Sequence, residues 1–200
     1  LEVLITSKTH VGNSACVGGI VLETLQFVRL LNGKNTYQPG DTELEIGQIW
    51  EIDFASHPDV APHVEDVYVI NKKFIRTLAD VRAFVVKNLN VWEGKPEILF
   101  DGLLKWTGNG SGFLDNPNNL PQNSVGFWIS DRDLILEDNR YFVYKRKRIW
   151  KSRKFSYVGF PDRISVIPAG TLIRVSLAKW WKPEDIAIGH RCYLQLSGWY

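Results

Sequence analysis

Residues 1–31 read LEVLITSKTHVGNSACVGGIVLETLQFVRLL. Three runs rich in branched residues stand out within them: LEVLITS (1–7), ACVGGIVL (15–22) and QFVRLL (26–31). Short runs of Val, Ile and Leu separated by polar breaks predict strands, because branched side chains suit a pleated surface and crowd a helix. The pattern continues outward. QPGD (38–41) and EIGQ (45–48) read as turns before the strand IWEIDF (49–54), and EDVYVI (65–70) follows the loop SHPDVAPH (56–63). Five strands inside the first seventy residues predict a small barrel or sandwich.

One segment breaks this rhythm. TLADVRAFVVKNL (77–89) places Leu78, Val81, Val85 and Leu89 at helical spacing, with Thr77 as the expected N-cap. Beyond it EILF (97–100) reads as a strand, whereas TGNGSG (107–112) and DNPNNLPQN (115–123) read as loops. Strand character then returns in VGFWIS (125–130), LILED (134–138), RYFVYKRKR (140–148), FSYVG (155–159), TLIRVSLAKWW (171–181) and RCYLQLSGWY (191–200). A faint repeat links the two halves. PGDTELEIGQIWEIDF (39–54) and PAGTLIRVSLAKWW (168–181) each run from a Gly into an alternating strand that carries Trp. The expected fold is mainly β: two five-stranded barrels, 1–75 and 124–200, with a helix and connecting insert at 76–123.

Bulk composition narrows the function. At 44% apolar and 23% charged the 200-residue chain is globular rather than disordered, and long enough for two small domains. Eight Trp are more than a core of this size needs, which suggests a binding face. The net charge of +2 hides an asymmetry. Residues 1–100 hold nine basic against thirteen acidic side chains, and 101–200 hold fifteen against nine. The basic half would attract a polyanion. Cys16 and Cys192 lie far apart with no CxxC, so no disulfide framework is indicated. No leader pattern and no apolar run near 18 residues is present, so a soluble cytoplasmic protein is expected.

Several stretches resemble a known family. TSKTHVGNSACVGGIVLETLQFVRLLN (6–32), IGQIWEID (46–53), PHVEDVYV (62–69) and the closing AGTLIRVSLAKWW and RCYLQLSGWY are similar to the bacterial dual OB-containing domain family. The resemblance is thinnest between about 90 and 123. It implies two OB-type barrels and nucleic-acid binding, often within systems of genome defence.

The most charged stretch is RYFVYKRKRIWKSRKFSY (140–157), with eight Lys or Arg, six aromatic residues and no acid. Arg140, Lys145, Arg146, Lys147, Arg148, Lys151, Arg153 and Lys154 could contact phosphates, with Tyr144 and Trp150 among the rings that could stack on bases. Alternation along an extended strand would put Arg146, Arg148, Trp150 and Lys154 on one side and Lys145, Lys147, Lys151 and Arg153 on the other. The competing explanation is an edge hairpin that uses cations to prevent sheet-to-sheet pairing. KWW (179–181) and SGWY (197–200) supply further aromatics, one Trp of each group being expected to plug a barrel.

A polar constellation occupies the first half: Lys8, His10, Arg29, His63, Glu65 and Asp66. All lie in segments that carry the resemblance. They could form a pocket for a phosphate or a base, or a buried ion-pair network that fixes a loop. HPDVAPHVED (57–66) has metal-ligating residue types, but its His spacing matches no zinc pattern, so no metal or cofactor is expected. GxSxG, HExxH and GxxxxGK[ST] are all absent, and GNGSG (108–112) lacks the strand–loop–helix frame of a phosphate loop. The expectation is a non-catalytic protein that binds nucleic acid, single strands above all. An adaptor that docks an effector protein, or a nucleotide sensor, are the alternatives.

Overall fold

The computed structural model describes residues 1–34, 36–146, 152–182 and 189–200. They form two compact units, Leu1–Asn90 and Val91–Tyr200.

The first unit is built from β1 (Glu2–Val11), β2 (Ser14–Val21), β3 (Phe27–Leu31), β4 (Gln38–Pro39), β5 (Gln48–Ser56) and β6 (Asp66–Thr77). β1 pairs with both β2 and β5, β5 with β6, and β6 with β3, so five strands close on themselves. The β3–β6 pairing is parallel and the others around the circuit are antiparallel. Closure explains why the opening stretch is so apolar. Val3, Leu4 and Ile5 are all fully buried, on both faces of β1. β2 crosses β1 closely at Gly19, where a Cβ would meet Leu4 O at 2.9 Å and Val3 Cγ1 closer still.

The helix is shorter than the periodicity predicts. α1 spans Val81–Asn88, and Asp80 caps it by accepting the Ala83 N–H at 2.8 Å. Thr77 instead ends β6, opposite Gln48. A carboxylate at the N-cap also favours the positive end of the helix dipole, which explains the choice of Asp80. Val81 and Val85 are buried, and the Leu78 N–H donates to Gly47 O in the same unit.

The second unit contains β7 (Val91–Gly94), a 3-10 segment (Pro96–Gly102), β8 (Lys105–Trp106), β9 (Gly112–Leu114), β10 (Val125–Ser130), β11 (Leu134–Glu137), β12 (Tyr141–Tyr144), β13 (Arg153–Tyr157), β14 (Val166–Ile167), β15 (Leu172–Leu177) and β16 (Cys192–Trp199). β10 pairs with β15, β15 with β16, β16 with β13 in parallel, β13 with β12 and β12 with β11. Only three residues separate β10 from β11. Taken as one bent strand they close a second five-strand circuit with the same parallel pairing as the first. The two repeated passages then hold equivalent places, since β5 and β15 are each the fourth strand of their circuit.

The segment expected as an insert is divided between the units. Its helix belongs to the first, while β7 pairs with β10 and β9 with β16 in the second. EILF is not a strand. Leu99 and Phe100 are fully buried in the core of the second unit, with Trp128, Phe142 and Phe155, but the chain delivers them through a 3-10 turn with φ of +50° at Phe100 and +57° at Asp101. Among the described residues no helix is long and apolar enough to cross a membrane.

Candidate nucleic-acid interface

The two ends of the basic stretch pair as antiparallel strands, with Tyr144 of β12 opposite Arg153 of β13. Alternation sends Phe142, Tyr144, Phe155 and Tyr157 into the core. Tyr144 is therefore no stacking surface. It is 1% exposed, and its hydroxyl donates to Asp131 Oδ1 at 2.9 Å. Burial first, and the Asp131 carboxylate second, push its phenol up to about 12. Tyr141 and Lys154 lie on the opposite face, partly exposed. The Arg140 guanidinium sits 5.0 Å from the Tyr141 ring centroid.

Among the described residues the expected two-sided split of cations does not hold, because β12 ends at Tyr144 and β13 runs antiparallel to it. Arg146 and Arg153, expected on opposite faces, converge on one carboxylate. Arg146 Nη1 and Arg153 Nε both donate to Glu97 Oε1 at 2.9 Å. Lys145 pairs with Glu137 at 3.1 Å. Lys147, Arg148, Trp150 and Lys151 lie outside the described residues.

The β8–β9 hairpin extends this surface. The Arg153 guanidinium stacks over Trp106 of β8 at 4.4 Å, and the Lys154 N–H donates to Gly110 O at 2.9 Å. Gly110 has φ of +89°, and a Cβ there would collide with Ser152 O, so only glycine lets the hairpin approach β13. On β9, Phe113 pairs with Tyr193 of β16. The Arg191 guanidinium lies 4.0 Å over the Phe113 ring and donates to the Tyr193 hydroxyl at 3.3 Å. Arg191 and Trp181 exchange two backbone hydrogen bonds, of 3.0 and 2.9 Å. Trp181 is 55% exposed, with its ring 6.2 Å from that of Tyr193. Its neighbour Trp180, and Trp199 at the other end of the barrel sequence, pack against the core.

The polar constellation of the first unit separates. Arg29 Nη1 lies 2.8 Å from Asp66 Oδ1, and Arg29 Nη2 lies 3.4 Å from His63 Nδ1. The Arg29 N–H donates to Glu65 O at 2.7 Å. All four residues are buried. Burial alone would lower the Arg29 guanidinium, but Cys16, Asp66, Glu65 and Tyr37 outweigh it and the net direction is upward. This cluster braces the 57–65 loop, whose ends are tied by His57 N–H to Asp66 O and Asp59 N–H to His63 O. Lys8 belongs elsewhere, donating to Thr42 O at 2.8 Å and pairing with Glu45. His10 is exposed near the end of β1.

The family model for the dual OB-containing domain matches residues 1–199. The chain belongs to this family. No curated protein matches it.

OB barrels in general take ligands on the face of the second and third strands, flanked by the loops after the first and fourth. In the first barrel those strands are β2 and β3, and nearly every residue on them is buried. The second barrel is mostly buried on the same face too, but it leaves Tyr141, Arg153, Lys154 and Ser156 partly exposed. Its second and third strands are β12 and β13; Arg140 precedes the second strand, and Trp181 and Arg191 lie between the fourth and fifth. Sequence reasoning reached β12, β13 and the KWW group. It missed Glu97, Trp106, Arg191 and Tyr193, which join the site through pairings distant in the chain. The charge of Arg191 beside the aromatic Tyr193 was the one local signal available.

Proposed function

We propose that the second barrel binds single-stranded nucleic acid without catalysing a reaction on it. The observation that carries this reading is Trp181: a ring more than half exposed, beside Tyr193 and Arg191, on a ligand-binding loop of an OB barrel. An exposed ring next to a guanidinium can stack a base while the cation meets the adjoining phosphate. Arg140 and Lys154 extend the cationic track along β12 and β13. Stacking accepts any base, so sequence preference is expected to be slight. A place in a prokaryotic defence system is suggested by the family resemblance alone.

The test is fluorescence anisotropy with labelled single-stranded DNA, single-stranded RNA and duplex, at about 50 and about 200 mM salt. With about four phosphates engaged, the log–log salt slope on single strands is expected near −3. Absence of binding at low salt, or binding indifferent to salt, would sink the proposal.

A second reading has its own support. On β6 of the first unit Ile70 is 71% exposed and Phe74 46%, and apolar side chains so presented suit a protein partner. An adaptor function predicts that a bound effector protects these residues and that binding changes little with salt. The nucleotide-sensor alternative, with a pocket of Lys8, Arg29 and His63, has less support, because Arg29 contacts His63 and Asp66 while Lys8 pairs with Glu45.

A further inference from the structure

The Glu97 carboxylate is an awkward partner for the two guanidinium groups it holds. Arg146 Nη1, Arg153 Nε and Arg153 Nη2 all reach the same oxygen, Oε1, each at 2.9 Å. The other oxygen, Oε2, is buried and accepts no hydrogen bond among the described residues. Each carboxylate oxygen has room for two donors, so one atom is oversubscribed while its twin is unused. Charge is mismatched in the same sense, since two permanent cations share a single anion.

We propose that Arg146 and Arg153 form one phosphodiester site, which Glu97 fills in the free protein as an internal stand-in for the phosphate. The proposal rests on the reading that the second barrel binds single-stranded nucleic acid. A phosphodiester presents two non-bridging oxygens on a tetrahedral centre, so the Arg153 fork can take one and Arg146 the other. The fork is already positioned, because its central carbon lies over the Trp106 ring at 4.4 Å and the Lys154 N–H anchors the next residue to Gly110. Glu97 is poorly held by comparison. Its backbone is fixed by the burial of Pro96 and Leu99, while its side chain is partly exposed and bonded only through Oε1 among the described residues.

The arrangement has a functional consequence. An incoming phosphate must displace a carboxylate, so a lone phosphate or mononucleotide gains little. A strand also engages Arg140, Lys154 and Trp181, and those contacts supply the free energy for displacement. Glu97 would thus select polymers over monomers.

The deciding experiment compares wild type, Glu97→Gln, Glu97→Ala and Glu97→Gln/Arg153→Gln by anisotropy with a fluorescein-labelled oligothymidylate of about 20 nucleotides across a salt series. Both single variants are expected to bind about three- to tenfold tighter at low salt, with a salt slope steeper by about 0.7 for one added phosphate. Adding Arg153→Gln should abolish that gain. Glu97→Gln keeps the side-chain shape, so it carries the test if Glu97→Ala melts early. Should wild type bind with a steep slope while neither single variant binds tighter, Glu97 is a structural brace; the proposal falls and the nucleic-acid reading stands. A gain that survives Arg153→Gln overturns the assignment of the site. If none of the proteins binds at low salt, the nucleic-acid reading fails and takes this proposal with it.

Discussion

The Arg153 guanidinium stacks on the Trp106 ring at 4.4 Å while its Nε and Nη2 both reach Glu97 Oε1 at 2.9 Å. One side chain thereby links the start of β13, the β8–β9 hairpin and the 3-10 segment within the second unit. Lysine could supply the charge but neither the planar stack nor the fork. Arg153→Lys is expected to lower the stability of the second unit by about 1 kcal/mol. Urea denaturation checks this, and a midpoint equal to wild type would show that the stack contributes nothing.

Trp181 should separate binding from folding. Its ring is more than half exposed, with its centroid 6.2 Å from that of Tyr193. Trp181→Ala is expected to leave the melting temperature nearly unchanged and to weaken single-strand binding by about 1–3 kcal/mol. Trp180→Ala should do the reverse, since Trp180 packs on the core. Equal effects of the two substitutions on binding would remove Trp181 from the interface.

Much of the fold was legible because strands announce themselves locally. Runs such as LEVLITS and TLIRVSL combine branched residues with the density of a twice-covered strand, and no helix or turn competes for them. EILF failed for a related reason: a short apolar run reports burial, not backbone conformation, and Leu99 and Phe100 reach the core through left-handed turns instead. The candidate site was half legible. A charge cluster shows in the sequence, but its partner does not, because Glu97 lies 49 and 56 residues from the arginines it joins. The assumption of one continuous strand across 140–157 then set Arg146 apart from Arg153. β12 and β13 are instead two antiparallel strands, with Tyr144 opposite Arg153, which cancels the alternation.

The buried pair of the first barrel gives a prediction about stability alone. Arg29 and Asp66 face each other across the parallel β3–β6 pairing at 2.8 Å. Asp66→Asn removes the carboxylate paired directly with a buried guanidinium, at an expected cost of about 3–5 kcal/mol. Replacing both partners, as in Arg29→Met/Asp66→Leu, should recover most of that loss. Chemical denaturation of the three proteins checks this. A double variant as unstable as Asp66→Asn would mean that the cluster contributes more than its own charge balance.

Alkaline unfolding should carry the signature of two buried phenols. Burial pushes Tyr144 up to about 12, assisted by its hydrogen bond to Asp131. Burial likewise pushes Tyr157 up to about 12, with its hydroxyl donating to Pro161 O at 2.9 Å. An unfolded tyrosine ionises near 10. Between these values the folded state holds protons that the unfolded chain has released, so stability falls as pH rises. The contribution is complete below about 10 and lost through about 12. Melting temperature is therefore expected to decline across that window, and Tyr144→Phe to flatten the decline while lowering stability at neutral pH by about 1 kcal/mol for the lost hydrogen bond. Thermal melts of both proteins from about pH 8 to about pH 12 check it. Parallel curves for wild type and Tyr144→Phe would show that Tyr144 ionises no later in the barrel than in the open chain.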